Sequence, residues 1–406
     1  MALPDSELAG PRGSPLEVLA AFARLGVSSF GGPIAHLGYF REEFVTRRRW
    51  LDEAAYADLV ALCQVLPGPA SSQVGFALGL LRAGFAGALA AWCAFTLPSA
   101  ALLVLFARGA YALVAPGGAG ILHGLQLAAV AVVAQAVLGM ARTLCPDRER
   151  ATIAGAALLI VLFGASSVAQ ILAIAGGAVA GLVWCAGRAH AVPRPLHVPV
   201  SARAGVAALV AFFALLAALP LVRLTTQSPN VALFDAFYRS GALVFGGGHV
   251  VLPLLRDAVV APGWISDRLF LAGYGAAQAV PGPLFSFAAY LGAVLNIGPG
   301  GVRGALLALV ALYLPGILVL LGALPFWQSL RGSPRAQAAL AGINAAVVGV
   351  LAAALYDPIW TTAVRSRGDF AVAALGFLLL AVWRIPPLFV VVGSAVAGVL
   401  LDAFAL

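Results

Sequence analysis

The sequence predicts an all-α, polytopic membrane protein made of two homologous repeats of inverted topology, each with helices broken by Gly/Pro segments. Composition is the first reason. The 406-residue chain is 62% hydrophobic and only 10% charged, with a mean hydropathy of +1.00, whereas soluble domains carry about 25% charged residues. Such a chain can bury a core but cannot cover it with polar surface, so it belongs in a bilayer. The second reason is that QVLPGP at 64–69 returns as QAVPGP at 278–283. The third is another shared element upstream of each copy, FARLGVSSFGGP from Phe22 and FYRSGALVFGGG from Phe237. Two Gly/Pro breaks written twice in apolar surroundings are most simply two copies of one membrane fold.

All 24 basic residues are arginine, and the net charge is +8. No basic run is interleaved with aromatics in a polar context, so the charge points to cytoplasmic loops and lipid rather than to nucleic acid. The 4 cysteines form no CxxC pair and read as small buried hydrophobes. No apolar stretch follows the first charges in the manner of a cleaved signal peptide.

Residues 1–14 read as a disordered leader, and the first repeat occupies 15–187. An apolar arm runs from Leu16 to Phe30, breaks at Gly31-Gly32-Pro33, and resumes to about Phe44. An Arg-rich loop with Arg41, Arg47, Arg48 and Arg49 follows. Asp52 then caps a helix of about 13 residues that ends at Pro67, as Ser266 does in the second copy. After Pro67-Gly68-Pro69 a short arm runs to Arg82. Arms of 12–15 residues rise about 20 Å, short of the ~30 Å hydrocarbon core. Two readings fit: hairpins that enter the membrane and turn back, or kinked full-length spans. Longer spans follow at about 84–111, 119–141, 151–165 and 168–187. A basic linker and one linking span fill 188–230. The second repeat, 231–406, has its tips at Gly246-Gly247-Gly248 and Pro281-Gly282-Pro283, then spans at about 302–326, 335–356, 368–383 and 387–405. One linking span after an even number of spans makes the second repeat inverted.

A tip inside the membrane presents the N-terminus of its returning helix, where unpaired N–H groups and glycine make an anion site without a dedicated side chain. Arg24 and Arg239 occupy equivalent positions six residues before the Gly tips. An intramembrane arginine is a functional candidate by default, and its planar fork suits a tetrahedral oxyanion. Asp235, one turn before Arg239, offers a neutralising partner. Gln64 and Gln278 match across the repeats and can donate amide hydrogens to a substrate or to a neighbouring helix. Ser71, Ser72 and Ser286 stand at the returning helix starts, where capping is the competing role. His36 and His249 flank the Gly tips and, with Asp58, are proton-coupling candidates. The counterpart of Asp58 is Ala272, which excludes a symmetric role. Trp50 and Trp264 read as interfacial anchors.

The stretch SFGGPIAHLGYFREEFVTRRRWLDEAAYADLVALCQVLPGPASSQVGFALG, with LVFGGGHVVLPLLRDAVV and WISDRLFLAGYGAAQAVPGPLFSFAAYLGA, resembles the chromate ion transporter family in its long, two-domain form. The resemblance covers most of both halves. It implies two halves of opposite orientation in the bacterial inner membrane, exporting chromate, a sulfate-like dianion, at the expense of the proton-motive force and so conferring chromate resistance. The family's motif residues fall here on Gly31, Gly32, Pro33, Gln64, Pro67, Gly68 and Pro69, and on Gly246, Gly247, Gly248, Gln278, Pro281, Gly282 and Pro283. Gly248 departs from the pattern set by Pro33, so the two Gly tips need not share one geometry. A transporter or channel for sulfate or another divalent oxyanion is the alternative. No acidic-pair cluster, HExxH, GxSxG or dinucleotide fingerprint favours an enzyme, no cofactor is expected, and a homodimer is a candidate assembly.

Overall fold

The computed structural model describes residues 13–29, 32–110, 119–164, 167–185, 199–244, 251–327 and 333–404, and every regular element among them is helical. Most of the predicted leader and the basic linker up to residue 198 lie outside the described residues. Helix α1 (Pro15–Ser28) begins where the Ser14 side chain accepts the Glu17 N–H and Pro15 fills a first-turn position that needs no donor. Helix α2 (Gly32–Arg41) runs on as a wider π-helical turn, Glu42–Arg47. Helix α3 (Glu53–Val65) is capped by Asp52, as expected. Helix α4 (Ala70–Ala110) is 41 residues long, and a straight rod of that length would measure about 60 Å, twice a bilayer core. It is broken instead at Ala83 (φ −142°) and Gly84 (φ 64°). The limbs 70–82 and 85–110 fold back on each other, with Gly79 against the Gly87 carbonyl. The predicted short arm ending at Arg82 is therefore present.

Helices α5 (Ala119–Leu144), α6 (Arg148–Gly164) and α7 (Ser167–Trp184) complete the first half. The linking span α8 (Ala202–Thr226) is apolar and largely exposed, as a lipid-facing helix must be. In the second half, α9 (Pro229–Ala242), α10 (Val251–Val259) and α11 (Asp267–Ala279), the last capped by Ser266, repeat α1, α2 and α3. A 3-10 turn, Leu284–Ser286, leads into α12 (Phe287–Val294), and α13 (Gly301–Ala323) follows. These correspond to the two limbs of α4, with Gly292 set against Gly304 as Gly79 is against Gly87. Helices α14 (Pro334–Ala354), α15 (Arg367–Ala381) and α16 (Pro387–Phe404) end the chain. Five of these helices, α4, α5, α8, α13 and α14, are long and apolar enough to cross a membrane.

The halves are intergrown. The α6–α7 pair of the first half packs on α14 of the second, and the α15–α16 pair of the second packs on α5 of the first. Each exchange uses glycine to bring backbones together. Gly124 of α5 lies on the Ser394 carbonyl of α16, and Gly342 of α14 lies on the Gly177 carbonyl of α7. In lipid there is no hydrophobic drive between helices, so such close van der Waals approach supplies the association. Nearer the centre a matched contact is made inside each half and accompanies the exchanges between them: Gly26 of α1 packs on Ala94 and Phe95, and Gly241 of α9 on Leu312 and Pro315. Reciprocal contacts of this kind define an approximate two-fold relation between the halves, which is what inverted repeats require.

Charged groups gather at helix ends. Glu17 accepts from Arg82 at 3.2 Å and from the Trp50 indole N–H, also at 3.2 Å, while the buried Glu43 is held by Arg47 and Arg48 at 3.0 and 2.7 Å. Arg82 also lies over the Trp50 ring, at 5.3 Å. In the second half Arg256 pairs with Asp267 at 2.8 Å, and Arg223 of α8 lies over the Trp264 ring at 5.9 Å. Both anchor tryptophans are thus fixed by arginine.

Candidate functional site

Each PGP tip follows from local chemistry. Pro67 and Pro281 end α3 and α11 because proline cannot continue a helix. Gly68 (φ 121°) and Gly282 (φ 101°) then take a backbone conformation that side-chain-bearing residues rarely adopt. Space forbids a side chain as well. A Cβ on Gly68 would lie 2.8 Å from the Gly316 Cα in α13, and one on Gly282 would lie 2.9 Å from the Ser99 Oγ in α4. Gly316 and Ser99 both follow a proline inside a long helix, Pro315 and Pro98. Each tip therefore docks beside the proline of a long span in the opposite half.

The tips are also hydrogen-bonded across the halves. The Gly68 N–H donates to the Val244 carbonyl at 2.7 Å, just past the end of α9. The Gly282 N–H donates to the Ser29 carbonyl at 2.9 Å, just past the end of α1. The chain ends of the first arms and the PGP tips of the other repeat thus form two matched locks. Gln73 strengthens one of them, its Nε2 donating to the carbonyls of Pro67 and Gly316, both at 2.9 Å.

Around the locks lies a buried polar cluster in an otherwise apolar interior. Ser99 and Ser286 share a hydrogen bond of 2.6 Å, and Ser99 also donates to the Thr96 carbonyl at 2.9 Å. His36 is fully buried, with Nδ1 at 3.5 Å from the Ser71 Oγ and Nε2 at 3.3 Å from the Ser29 carbonyl. The Ser71 and Ser286 hydroxyls are thus turned to His36 and Ser99, and neither caps its helix. The Tyr313 hydroxyl stands among those of Ser72, Thr96 and Ser286. Its ring is edge-on to Trp92 at 5.4 Å.

The structure brings together Pro67, Gly68, Pro69, Ser71, Ser72, Pro281, Gly282, Pro283, Ser286 and His36. The other described candidates are placed as follows. Arg24 is exposed on α1, where its charge bears on Glu43. Arg239 pairs with the buried Asp235 at 2.7 Å, the neutralising partner expected from spacing, and Arg223 approaches the same carboxylate at 3.5 Å. Gln64 is exposed on α3, whereas Gln278 is half-buried and lies beside Tyr274. Asp58 is buried within the first half. Gly32 (φ 76°) and Pro33 open α2. Gly31, Gly246, Gly247, Gly248 and His249 lie outside the described residues.

Sequence reasoning missed Trp92, Thr96, Ser99 and Tyr313. They sit in long apolar spans without a repeated motif, and the signal available was Pro98 and Pro315, one in each corresponding span.

Comparison with known proteins agrees with this architecture. A family profile described as "Chromate transporter" matches residues 16–182 and 231–399, one region in each half. The chain is 29% identical over 386 residues to a chromate transport protein of Pseudomonas aeruginosa, covering 93% of this chain and 90% of that one. It is 28% identical over 410 residues to a chromate transport protein of Cupriavidus metallidurans, covering 97% and 96%. An uncharacterized transporter of Methanocaldococcus jannaschii is 27% identical over 348 residues, covering 84% and 83%. No solved structure matches. Two matched halves, spanning helices and tips locked across an approximate two-fold all point the same way: the chain is a multi-pass membrane protein that belongs to the chromate transporter family.

Proposed function

We propose that this protein is a secondary transporter that moves chromate, or a sulfate-like tetrahedral dianion, out of the bacterial cytoplasm across the inner membrane. It is not an enzyme in this reading. The cross-half locking of the two PGP tips carries the proposal. A substrate held where both halves meet is exposed to one side or the other when the halves rock, which is the alternating-access arrangement of inverted repeats. A negative-inside potential expels a dianion by about 2.3 kcal/mol per charge per 100 mV. Proton coupling adds to this drive, and His36 is placed for it, because its ring links Ser71 of one tip to the Ser29 carbonyl that receives the other. Export of this kind confers resistance to chromate.

Uptake of labelled chromate into inverted membrane vesicles tests the reading. Accumulation that collapses with an uncoupler, saturates and shows counterflow is expected. Flux without saturation or counterflow would indicate a channel, and no oxyanion flux at all would refute the proposal. His36→Gln should leave downhill exchange intact while abolishing accumulation driven by a pH gradient.

A further inference from the structure

The polar groups around the tips have a second property: many of them are unused. The hydroxyls of Ser72, Thr96 and Tyr313 lie within reach of one another, yet none of them makes a hydrogen bond of good geometry, and neither does the indole N–H of Trp92, which packs on Tyr313. The relative exposures of Ser72, Thr96 and Tyr313 are 5%, 0% and 1%, so bulk water cannot serve them as a partner in this conformation. Burying a hydroxyl or N–H without a partner is costly. One such group is a packing compromise, but four on three segments from both halves form a set. The segments are the first turn of α4, the middle of its second limb and the middle of α13. Tyr313 is about 18 Å from the start of the 23-residue α13, close to halfway across a bilayer core.

We propose that Ser72, Trp92, Thr96 and Tyr313, completed by the Ser99–Ser286 pair, are the groups that hold the transported anion, and that they select a fully deprotonated tetrahedral dianion. This rests on the transport reading above and adds its specificity. The reasoning is a count of donors and acceptors. The hydroxyls of Ser72, Thr96 and Tyr313 can each turn a hydrogen toward an anion oxygen, the Trp92 indole offers one in a fixed direction, and Ser286 can do so by giving up its bond to Ser99. Among the described residues no carboxylate joins the cluster, and the Thr96 carbonyl is already taken by Ser99. Beside the first tip the Gln73 Oε1 is also without a partner, so an anion carrying its own O–H must reach that oxygen or spend one of the hydroxyls as an acceptor, losing a donor to the ligand. Sites that leave a polar group mismatched discriminate strongly. The arginine-free cage binds through neutral dipoles, so the substrate keeps its charge and stays sensitive to the membrane potential.

Equilibrium binding of labelled sulfate to the purified full-length protein in detergent tests this apart from transport. Tyr313→Phe and Thr96→Val, both nearly isosteric, should each weaken sulfate binding at least about tenfold, the loss expected for one hydrogen bond to a charged ligand. Tyr238→Phe removes another buried tyrosine hydroxyl, one that donates to the Phe212 carbonyl away from the cage, and should bind as wild type. Hydrogen phosphate, which keeps a proton at neutral pH, should compete about a hundredfold more weakly than selenate. The proposal fails if Tyr313→Phe and Thr96→Val both bind sulfate like wild type, if hydrogen phosphate displaces sulfate as well as selenate does, or if the wild-type protein binds no sulfate. A wild type that binds sulfate with this selectivity but moves no oxyanion in vesicles would instead defeat the transport reading and leave the cage standing.

Discussion

Gly68 and Gly282 show how a residue with no side chain can be the most constrained position in a site. Each combines a left-handed backbone with a neighbour at 2.8 or 2.9 Å from any added Cβ. Gly68→Ala should therefore carry the strain of a non-glycine residue at that φ, about 1–3 kcal/mol, and also push α13 away from the tip. Uptake assays should show transport lost while the protein still inserts and is extracted at wild-type levels. Arg24 is the contrasting case. Its fork recommended it from sequence, but it is exposed on α1, so Arg24→Ala should change the KM for chromate less than Gly68→Ala changes the transport rate. Glu43 carries a pH dependence. Burial alone would raise its pKa, but the bonds from Arg48 and Arg47 prevail and hold it below the usual carboxylate range. A depressed carboxyl contributes stability above its unfolded pKa and loses it as pH falls through the folded value. The melting temperature in detergent should drop on acidification below the ordinary carboxylate range, and Glu43→Gln should lower it at neutral pH and flatten that acid limb.

Among elements, the exchanged helix pairs decide stability. Packing of α7 on α14 and of α16 on α5 depends on backbone approach at Gly177, Gly342, Gly124 and Gly398. Gly342→Leu should cost about 1–3 kcal/mol through overpacking and lower the melting temperature of the extracted protein. Gly139→Leu is the natural comparison, because a Cβ there meets nothing within 4 Å, and it should be close to neutral. The broken helices are constrained differently. Their breaks at Ala83-Gly84 in α4 and between α12 and α13 turn the chain back on itself, which leaves the first limb of each, 70–82 and α12, too short to cross a bilayer alone. Limbs of that kind are stable only when the other half covers their ends, as the Val244 and Ser29 carbonyls do for the tips.

At the scale of the molecule, the two halves form one body because the PGP tips and the terminal helix pairs find their partners in the other half. If the halves rock as proposed, the Gly68–Val244 and Gly282–Ser29 bonds are ones the motion must break or slide. The cage between them repeats its positions but not its residues. Ser72 and Ser286 each stand three residues after a PGP tip, and Thr96 and Tyr313 each stand two residues before the proline of a long span. At the matched places, however, a threonine faces a tyrosine, Ser99 answers to Gly316, and Trp92 answers to Leu309. The repeats thus match in plan and diverge at their centre.

Much of this is legible in the chain itself. The repeated PGP tips, the caps at Asp52 and Ser266, the arm ending at Arg82 and the two-half plan are local or periodic signals, and local signals survive in sequence because backbone sterics and capping act within a few residues. The site is only half legible. Motif repetition marks Gly68, Gly282 and their prolines, and position marks His36, Ser71, Ser72 and Ser286. Neither shows that the Gly68 N–H reaches Val244, that α6–α7 and α15–α16 trade places, or that Arg24 is exposed on α1 while Tyr313 lies among the tip hydroxyls. Those facts depend on which helix faces meet across some two hundred residues of chain, and apolar spans with nearly uniform composition carry no periodic signal of which face that is. Close packing at glycine settles it, and only the folded molecule displays that packing.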